Sequence, residues 1–224
     1  MHNTLSKWGK IELGKQDSKK SGNHDQLALF QDDTEDTSLP LTPDTLYLLW
    51  HQSFIVEGYE SKDDADFARR KGEKILKLYF DWWSQSERSV LAIEKGFSID
   101  IDMNTIKGRF DRVERIDGNI VVIDYKTSGV RPQEEVDTDL QLSIYALACE
   151  QVFGEPCTDL LLLFLREDGI TEVKTQRSLQ QLAGAQEIIN SLTEGIDEGM
   201  FEATPSPSVC KRCPYRGVCN AADV

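Results

Sequence analysis

Hydrophobic positions recur with two different periods along this chain, and the pattern predicts helices first and strands afterwards. Residues 1–16 and a segment from about Thr42 show helical spacing of apolar residues. A longer helix is predicted from about Asp63 to Trp83, with Phe67 and Ile75 among the residues on its buried face. We expect the last two of these helices to pack on a sheet.

The middle of the chain is rich in branched residues at alternating positions, which is typical of strands. Two strands are predicted over Val90–Ile101 and Ile106–Ile116. The sequence Asp117-Gly118-Asn119 predicts a tight hairpin turn into a third strand that begins at Ile120. The sequence therefore predicts three consecutive antiparallel strands.

The rest of the chain completes an alternating pattern of helices and strands. Further elements are predicted as a helix over 138–153, a buried strand over 159–166, a strand over 170–176 and a helix over 178–195. This order predicts an α/β fold with a mixed central sheet flanked by helices. We expect one domain over residues 41–205, preceded by a partial N-terminal helix over 1–16 and a mobile acidic linker over 17–40, and followed by a cysteine-rich tail over 206–224.

Composition limits the chain to one sizeable core. It has 224 residues, of which 39% are hydrophobic. The longest apolar run, Leu160 to Leu165, is far shorter than the roughly 20 residues of a membrane span, and the N-terminus lacks a signal-peptide stretch. We expect a soluble, cytoplasmic protein with no membrane partner.

The charge distribution changes what the net charge implies. A formal net charge of -14 argues by itself against a nucleic-acid partner, because phosphate binding needs lysine and arginine. Most of this acidity lies between Asp25 and Asp66, whereas basic residues gather elsewhere. These basic residues are Lys107, Arg109, Arg112, Arg115, Lys126 and Arg131. The sequence therefore still allows a surface that faces DNA.

Candidate chemistry lies at the end of the third strand. Side chains alternate along a strand, so Asp124 and Lys126 share one face while Tyr125 points to the other. Asp111 lies on the preceding strand, which the hairpin brings alongside. Two carboxylates can then share one metal ion, and hard oxygen ligands with open positions suit Mg²⁺ or Mn²⁺.

Two further residues can support this site from the next helix. Gln141 and Tyr145 are four residues apart and so lie on one helix face, where they can brace the strand or contact DNA. Each feature also has an ordinary explanation, because Asp-x-Lys on a strand is commonly an exposed ion pair and Gln with Tyr is commonly the edge of a core. The order of the motifs, and charges placed directly after the apolar run 120–123, favour a site.

The motifs taken together resemble those of the RecB-like branch of the PD-(D/E)XK nuclease superfamily. The resemblance rests on four short segments and covers about Leu91 to Cys219. The segments are Gly108 to Asp111, Ile123 to Thr127, Gln141 to Ala146, and Cys210-x-x-Cys213-Pro with Cys219. Within that branch the chain is most similar to the nuclease domain at the C-terminus of UvrD/PcrA-type helicases.

This resemblance implies a metal-dependent DNA nuclease of repair or recombination, acting as an exonuclease near single-stranded ends. It implies that Asp111 and Asp124 hold the metal, that the backbone carbonyl of Tyr125 adds a ligand, and that Lys126 supports the attacking water. It also implies association with a helicase motor in the same or a partner chain. The chain has no Gly-Lys-Ser/Thr phosphate loop, so such a motor lies elsewhere.

The same resemblance implies a histidine metal ligand on an early helix. Met1-His2-Asn3-Thr4-Leu5 is similar to the second half of the family's Gly-x-x-x-His-x-x-Leu pattern, which makes His2 the candidate. The glycine of that pattern is missing. The ordinary alternative is that a histidine beside the start methionine has no role.

Three cysteines near the C-terminus resemble an iron–sulfur tail. Cys210-x2-Cys213-x5-Cys219 is similar to the segment that, in related nucleases, holds a four-iron, four-sulfur cluster with a fourth cysteine upstream of the histidine motif. That fourth cysteine is missing here. A zinc site or free thiols are the alternatives, and Cys149 is expected to be a buried helix residue. The truncated histidine motif and the missing ligand predict that the chain is a C-terminal piece of a longer protein.

Two other functions compete with the nuclease. One is a non-catalytic DNA-binding clamp or scaffold of a repair complex, which intact Asp111, Asp124 and Lys126 argue against. The other is a zinc-bearing interaction module in which the cysteine tail matters and the carboxylates are incidental. The metal that copurifies with the protein distinguishes this module from a nuclease.

Overall fold

The computed structural model describes residues 1–20 and 37–222. Its elements follow the predicted order, a helical region, a β-meander, helices, two strands and a helix. The elements are α1 (His2–Lys20), α2 (Pro43–Ser53), α3 (Lys62–Trp83), β1 (Ser89–Ile101), β2 (Asn104–Ile116), β3 (Asn119–Lys126), α4 (Gln133–Asp137), α5 (Leu140–Phe153), β4 (Cys157–Arg166), β5 (Gly169–Thr175), α6 (Leu179–Asp197) and α7 (Pro207–Cys210).

The five strands form one mixed sheet in the order β1-β2-β3-β4-β5. Only β3 and β4 are parallel, and the other neighbours are antiparallel. The predicted α/β fold with a mixed central sheet is therefore confirmed. Leu160 to Leu165 are all buried because β4 is an inner strand covered on both faces, which explains the continuous apolar run.

Helices cover both faces of the sheet. Buried residues of α5 and α6 pack with one face of the strands, and buried residues of α1, α2 and α3 pack with the other. The β2–β3 hairpin turns at Asp117 and Gly118, whose φ angles are +50° and +84°. A two-residue turn that matches the twist of its strands needs positive φ at both positions, so the predicted hairpin is confirmed.

The N-terminal helix is longer and more deeply packed than the sequence predicts. It continues to Lys20, so the first four residues of the predicted linker are helical. Leu5, Trp8 and Ile11 of α1 are buried in the core beside α2 and α3. Residues 21–36 of the predicted linker lie outside the described residues.

One helix start and one buried position differ from the sequence prediction. The helix predicted over 138–153 is α5, which begins at Leu140 because Asp139 caps it by accepting a hydrogen bond from the backbone of Leu142, and the short helix α4 before it was not predicted. Phe67, predicted on the buried face of α3, is 61% exposed. The buried face instead carries Gly72, where an added Cβ would lie 2.1 Å from the Trp50 ring, because α2 and α3 approach each other closely there.

A buried ionic network joins α1 to the sheet. The guanidinium of Arg112 is fully buried and bonds Glu12 of α1 at 2.8 Å and Glu114 of β2 at 2.6 Å. Arg88 bonds the other oxygen of Glu114 at 3.0 Å. Two arginines and two carboxylates balance each other, which makes their burial tolerable.

Among the described residues, no helix combines the length and the apolar content needed to cross a membrane.

Candidate active site

A closed ring of polar contacts joins the end of β3 to α5. An ion pair of 2.7 Å links Lys126 Nζ to Asp124 Oδ2. Lys126 Nζ also donates to Gln141 Oε1 at 3.1 Å, and Gln141 Nε2 donates to the Tyr145 hydroxyl at 2.9 Å. Tyr145 closes the ring by donating to Asp124 Oδ1 at 3.2 Å. Both oxygens of the buried Asp124 carboxylate therefore have a fixed neighbour.

Local geometry explains why these four residues meet. Alternation along β3 directs Asp124 and Lys126 toward the α5 side, while the Tyr125 ring is buried on the opposite side with Tyr79. One helical turn separates Gln141 from Tyr145, so both face the strand. Burial and the nearby charges of Asp124 and Asp111 raise the pKa of Tyr145, which keeps its hydroxyl protonated as a donor.

Asp111 lies where β2 and β3 stop pairing. The ladder ends at Arg112 opposite Ile123, and one residue further the Asp111 carboxylate accepts the backbone N–H of Tyr125 at 2.9 Å. Burial raises the pKa of the Asp111 carboxyl and the charge of Asp124 raises it further, although the Tyr125 N–H and His2 act in the opposite direction. A cation between Asp111 and Asp124 would relieve this unfavourable burial of charge.

Three side chains from different elements converge beside this pair. His2 of α1, Glu94 of β1 and Asp111 of β2 each offer one ligand atom, and these atoms lie within 4.8 Å of one another. His2 Nδ1 is 3.4 Å from Asp111 Oδ2. No other such group of three occurs within residues 1–20 and 37–222. One imidazole and two carboxylates form a mixed nitrogen and oxygen donor set for a divalent metal ion, in which the two carboxylates suit Mn²⁺ or Mg²⁺.

Asp124 stands next to this group without belonging to it. Its two carboxylate oxygens contact Lys126 and Tyr145. That Asp111 and Asp124 share one metal ion stays a prediction. The charge of Asp124 nevertheless acts on Asp111, as the raised pKa of Asp111 indicates. The structure thus places the predicted catalytic and metal-binding side chains at one end of the sheet, in two adjoining sets.

Glu94 is the residue that sequence reasoning missed. Its φ of +48° lies in the left-handed region, which a non-glycine residue adopts at a cost of roughly 1–2 kcal/mol. The β1–β2 ladder pairs Ile93 with Arg112 and Lys95 with Phe110, and Glu94 and Asp111 lie between these two pairs. Strained residues cluster at functional sites. The available signal was an acidic residue after the apolar segment 90–93, followed by Gly96.

The glycine of the Gly-x-x-Asp segment has a packing role. Gly108 is paired with Phe97, and a Cβ on Gly108 would lie 2.4 Å from the end of the Phe97 ring. Only glycine therefore lets this ring pack across β2. The close contact keeps β1 and β2 in the register that brings Glu94 opposite Asp111.

The six basic residues expected on a DNA-facing surface separate into two groups. The prediction that Arg112 contributes to this surface is wrong, because Arg112 is fully buried between Glu12 and Glu114. Arg115 is paired with Glu155, and Arg131 with Asp139. Lys107 and Arg109 are exposed on β2, close to the candidate site. Of the six residues, Lys107 and Arg109 therefore present the most accessible positive charge, because Lys126 is only 26% exposed and is paired with Asp124.

The three cysteines of the predicted cluster lie at and after the C-terminal helix α7. Cys210 is buried at the end of α7, and Cys213 and Cys219 are partly exposed. Within the described part of the chain, these three sulfur atoms do not all lie within 4.8 Å of one another. The iron–sulfur cluster stays a prediction from the spacing of the cysteines. Cys149 is fully buried, as predicted, and its thiol is hydrogen-bonded with that of Cys157.

Comparison with known proteins places the chain in a family. Residues 16–220 match the PD-(D/E)XK nuclease superfamily. The chain belongs to this superfamily. Members of the PD-(D/E)XK superfamily are generally metal-dependent nucleases, and the His2, Glu94 and Asp111 group with its neighbour Asp124 is the part of the fold that can serve such chemistry.

Two individual proteins are similar to this PD-(D/E)XK chain. Gene 69 protein of Mycobacterium phage D29 is 31% identical over 172 residues, which cover 72% of this chain and 62% of the phage protein. The chain thus spans less than two thirds of that relative's length. The crystal structure of SSO0001 superimposes with a TM-score of 0.43 at 21% identity, covering 70% of this chain and 72% of that one.

Proposed function

We propose that this chain is a Mg²⁺- or Mn²⁺-dependent nuclease that hydrolyses phosphodiester bonds in DNA. The observation that carries the proposal is the convergence of His2, Glu94 and Asp111 beside the Asp124–Lys126 ion pair. Metal-type ligands, a buried carboxylate and a lysine are thereby placed at one exposed end of the sheet. Membership of a nuclease superfamily supports the same chemistry.

Each residue of the site has a proposed role. Asp111, Asp124, Glu94 and His2 hold the metal, together with the backbone carbonyl of Tyr125. The bound metal supplies a binding position for a phosphate oxygen and lowers the pKa of a water molecule. Lys126 orients that water and offsets charge that develops on the phosphate. Gln141 holds the Lys126 ammonium, and Tyr145 holds the Asp124 carboxylate.

The finer assignments rest on the resemblance of the motifs. We propose exonuclease action at single-stranded DNA ends, a role in repair or recombination, and a helicase motor in the same or a partner chain. The non-catalytic clamp becomes the conclusion if the metal-loaded protein binds DNA and never cleaves it. A substrate with one labelled end and a circular single strand together distinguish exonuclease from endonuclease action.

The iron–sulfur cluster is a separate proposal that only the spacing of Cys210, Cys213 and Cys219 supports. Three thiolates leave one coordination position of a cubane cluster to another ligand. Iron and sulfide analysis of protein purified without oxygen tests it directly. Zinc without iron would instead favour the interaction module.

We predict that Asp111→Asn raises the stability of the metal-free protein and abolishes its stabilisation by Mn²⁺. A carboxyl whose pKa is raised by folding stabilises the protein while it is protonated, and this stability is lost as the pH rises through the raised pKa. At neutral pH the substitution removes that cost, so the thermal midpoint of the metal-free protein should rise. Mn²⁺ at a hundredfold excess over Kd should stabilise the parent by about 2.7 kcal/mol and the variant by almost nothing.

Calorimetry with and without Mn²⁺ measures both effects, and cleavage should be lost together with the Mn²⁺ shift. Asp117→Asn in the β2–β3 turn is a control of equal charge that leaves both the shift and cleavage unchanged. If Mn²⁺ stabilises the Asp111→Asn protein as much as the parent, Asp111 is not a metal ligand.

We predict that two substitutions of Glu94 separate its backbone strain from its carboxylate. Glu94→Gly removes both, and Glu94→Gln removes only the charge. Mn²⁺ affinity should fall in both by about tenfold or more, because even indirect partners of a metal change affinity by that amount. The free energy of unfolding of the glycine variant should equal that of the glutamine variant or exceed it by up to about 1 kcal/mol, because only glycine adopts a positive φ without steric cost. Unchanged Mn²⁺ affinity in both would contradict the ligand role.

A further inference from the structure

The strands β1 and β2 continue beyond the end of β3 as a two-stranded ribbon. The β2–β3 ladder stops at Arg112, whereas β1 and β2 stay paired down to Ile101 and Asn104. One face of this ribbon is covered, because Phe97, Ile99 and Ile101 are buried in the core that contains α5. The opposite face is open.

The open face has an unusual composition. Residues opposite each other in an antiparallel ladder share a face, and here Gly96 is opposite Arg109 while Ser98 is opposite Lys107. All four residues are exposed. Next to the candidate site, the β2 side of the ribbon therefore presents two cations, and the β1 side presents two small residues that leave room beside them. The next pair on this face, at the far end of the ribbon, is Asp100 opposite Thr105.

This face is continuous with the candidate metal group. Arg109 Nη1 lies 3.6 Å from Glu94 Oε2, and Glu94 shares the ligand group with His2 and Asp111. The Arg109 side chain is 66% exposed, so its ion pair with Glu94 is weak and a phosphate can replace it. Arg109 is therefore the first cation along the ribbon from the site, and Lys107 is the second.

The spacing fits one nucleic-acid strand. Two residues along a β-strand advance by about 6.8 Å, so Arg109 and Lys107 repeat at a distance similar to that between consecutive phosphates of an extended strand. No aromatic side chain lies among the four residues of the open face. Contacts to phosphate position a strand without reading its sequence.

We propose that the open face of the β1–β2 ribbon, formed by Gly96, Ser98, Lys107 and Arg109, is the track along which the sugar–phosphate backbone of a single DNA strand approaches the metal group. This inference rests on the proposed nuclease function and adds the substrate path to it. Arg109 and Lys107 act as positioning residues. Gly96 and Ser98 provide the space that the backbone occupies.

The charge of the track is tested with the double variant Lys107→Gln/Arg109→Gln. The control is Lys62→Gln/Lys77→Gln, which removes equal charge from exposed positions on α3. Binding of a 30-nucleotide oligothymidine is measured in Ca²⁺ at several salt concentrations, and cleavage is measured in Mn²⁺. Losing two phosphate contacts to a single strand should reduce the slope of log Kd against log salt by about 1.4. KM should rise while kcat at saturation stays near that of the parent, and the control should match the parent.

The space beside the cations is tested with Gly96→Leu. An added Cβ at Gly96 meets only the Gly108 carbonyl oxygen, at 3.9 Å, so the backbone tolerates a side chain there. This variant should bind the oligothymidine more weakly with the parental salt slope, because it blocks the track without changing its charge. Thermal unfolding establishes that each variant is folded before its binding is compared.

The outcomes separate the track from the nuclease proposal. If the parent cleaves and both the ribbon variants bind and cleave as the parent does, the track is wrong and the nuclease proposal stands. If the double variant loses binding to a blunt duplex as strongly as binding to the single strand, the surface serves duplex DNA and the single-strand track is overturned. If the parent neither binds nor cleaves DNA with any metal, the nuclease proposal fails and the track fails with it.

Discussion

Asp124→Asn should abolish DNA cleavage while DNA binding persists or tightens. The substitution keeps the size of the side chain and its contact with Tyr145, but it removes the charge that faces Lys126 and the metal group. Loss of one carboxylate weakens the metal site and also reduces repulsion of phosphate. Cleavage of a labelled strand in Mn²⁺ and binding in Ca²⁺ measure the two effects separately.

Lys126→Ala should fail in a different way. The proposed metal ligands remain, and the ammonium that we propose to orient water and offset developing charge is lost. Electrostatic groups in comparable roles contribute about 3 to 4 kcal/mol, or roughly a hundred- to a thousandfold in rate. Gln141→Ala should have a smaller effect, because Gln141 acts indirectly, through its contacts with Lys126 at 3.1 Å and with the Tyr145 hydroxyl at 2.9 Å.

The comparison of variants decides whether the activity belongs to this site. Ca²⁺ in place of Mn²⁺ is the control for metal dependence. Equal cleavage by the parent, Asp124→Asn and Lys126→Ala proteins would assign the activity to a contaminant or to another site. DNA binding without cleavage by the parent, with either Mg²⁺ or Mn²⁺, would favour the non-catalytic clamp.

Arg112→Met should destabilise the fold by about 3–5 kcal/mol, the usual cost of removing one partner from a buried ion pair. Arg112 is fully buried, and its removal leaves the carboxylates of Glu12 and Glu114 with less compensation. Urea unfolding followed by tryptophan fluorescence measures the loss, because Trp8 of α1 and Trp83 of α3 lie in the adjoining core.

A control and a compensating variant make this prediction specific. Arg115→Met removes the same charge three residues further along β2, where the ion pair with Glu155 is accessible to water, and it should change stability little. Adding Glu12→Gln to Arg112→Met should recover part of the loss, since Glu114 keeps its ion pair with Arg88 and no unpaired charge then remains buried. If Arg112→Met and Arg115→Met lower the free energy of unfolding by similar amounts, the buried ion pairs do not hold α1 against the sheet.

The network also links the fold to the site. Glu12 and His2 lie on the same helix, and Arg112 follows Asp111 directly in β2. The ion pair between Glu12 and Arg112 therefore holds α1 in the position from which His2 contacts Asp111. We expect Arg112→Met to weaken Mn²⁺ binding as well, although no ligand is removed.

Local sequence patterns determined most of the fold and the part of the candidate site that β3 and α5 form. Alternation along β3 separates Asp124 and Lys126 from Tyr125, the Asp117-Gly118 pair specifies the hairpin, and helical spacing aligns Gln141 with Tyr145. These features depend on residues that are close in the chain. The periodicity of strands and helices and the conformational needs of a tight turn are sufficient to predict them.

Only the tertiary structure decided the features that depend on distant segments. Glu94 reaches the site because a strained backbone in β1 places it opposite Asp111, and His2 reaches the site because a buried network holds α1 against β2. Arg112 illustrates the limit, since its charge suggested an exposed DNA surface and two carboxylates instead make its burial stable. The burial of a charge depends on the partners that folding brings to it, and in this chain Glu12 is a hundred residues away from Arg112.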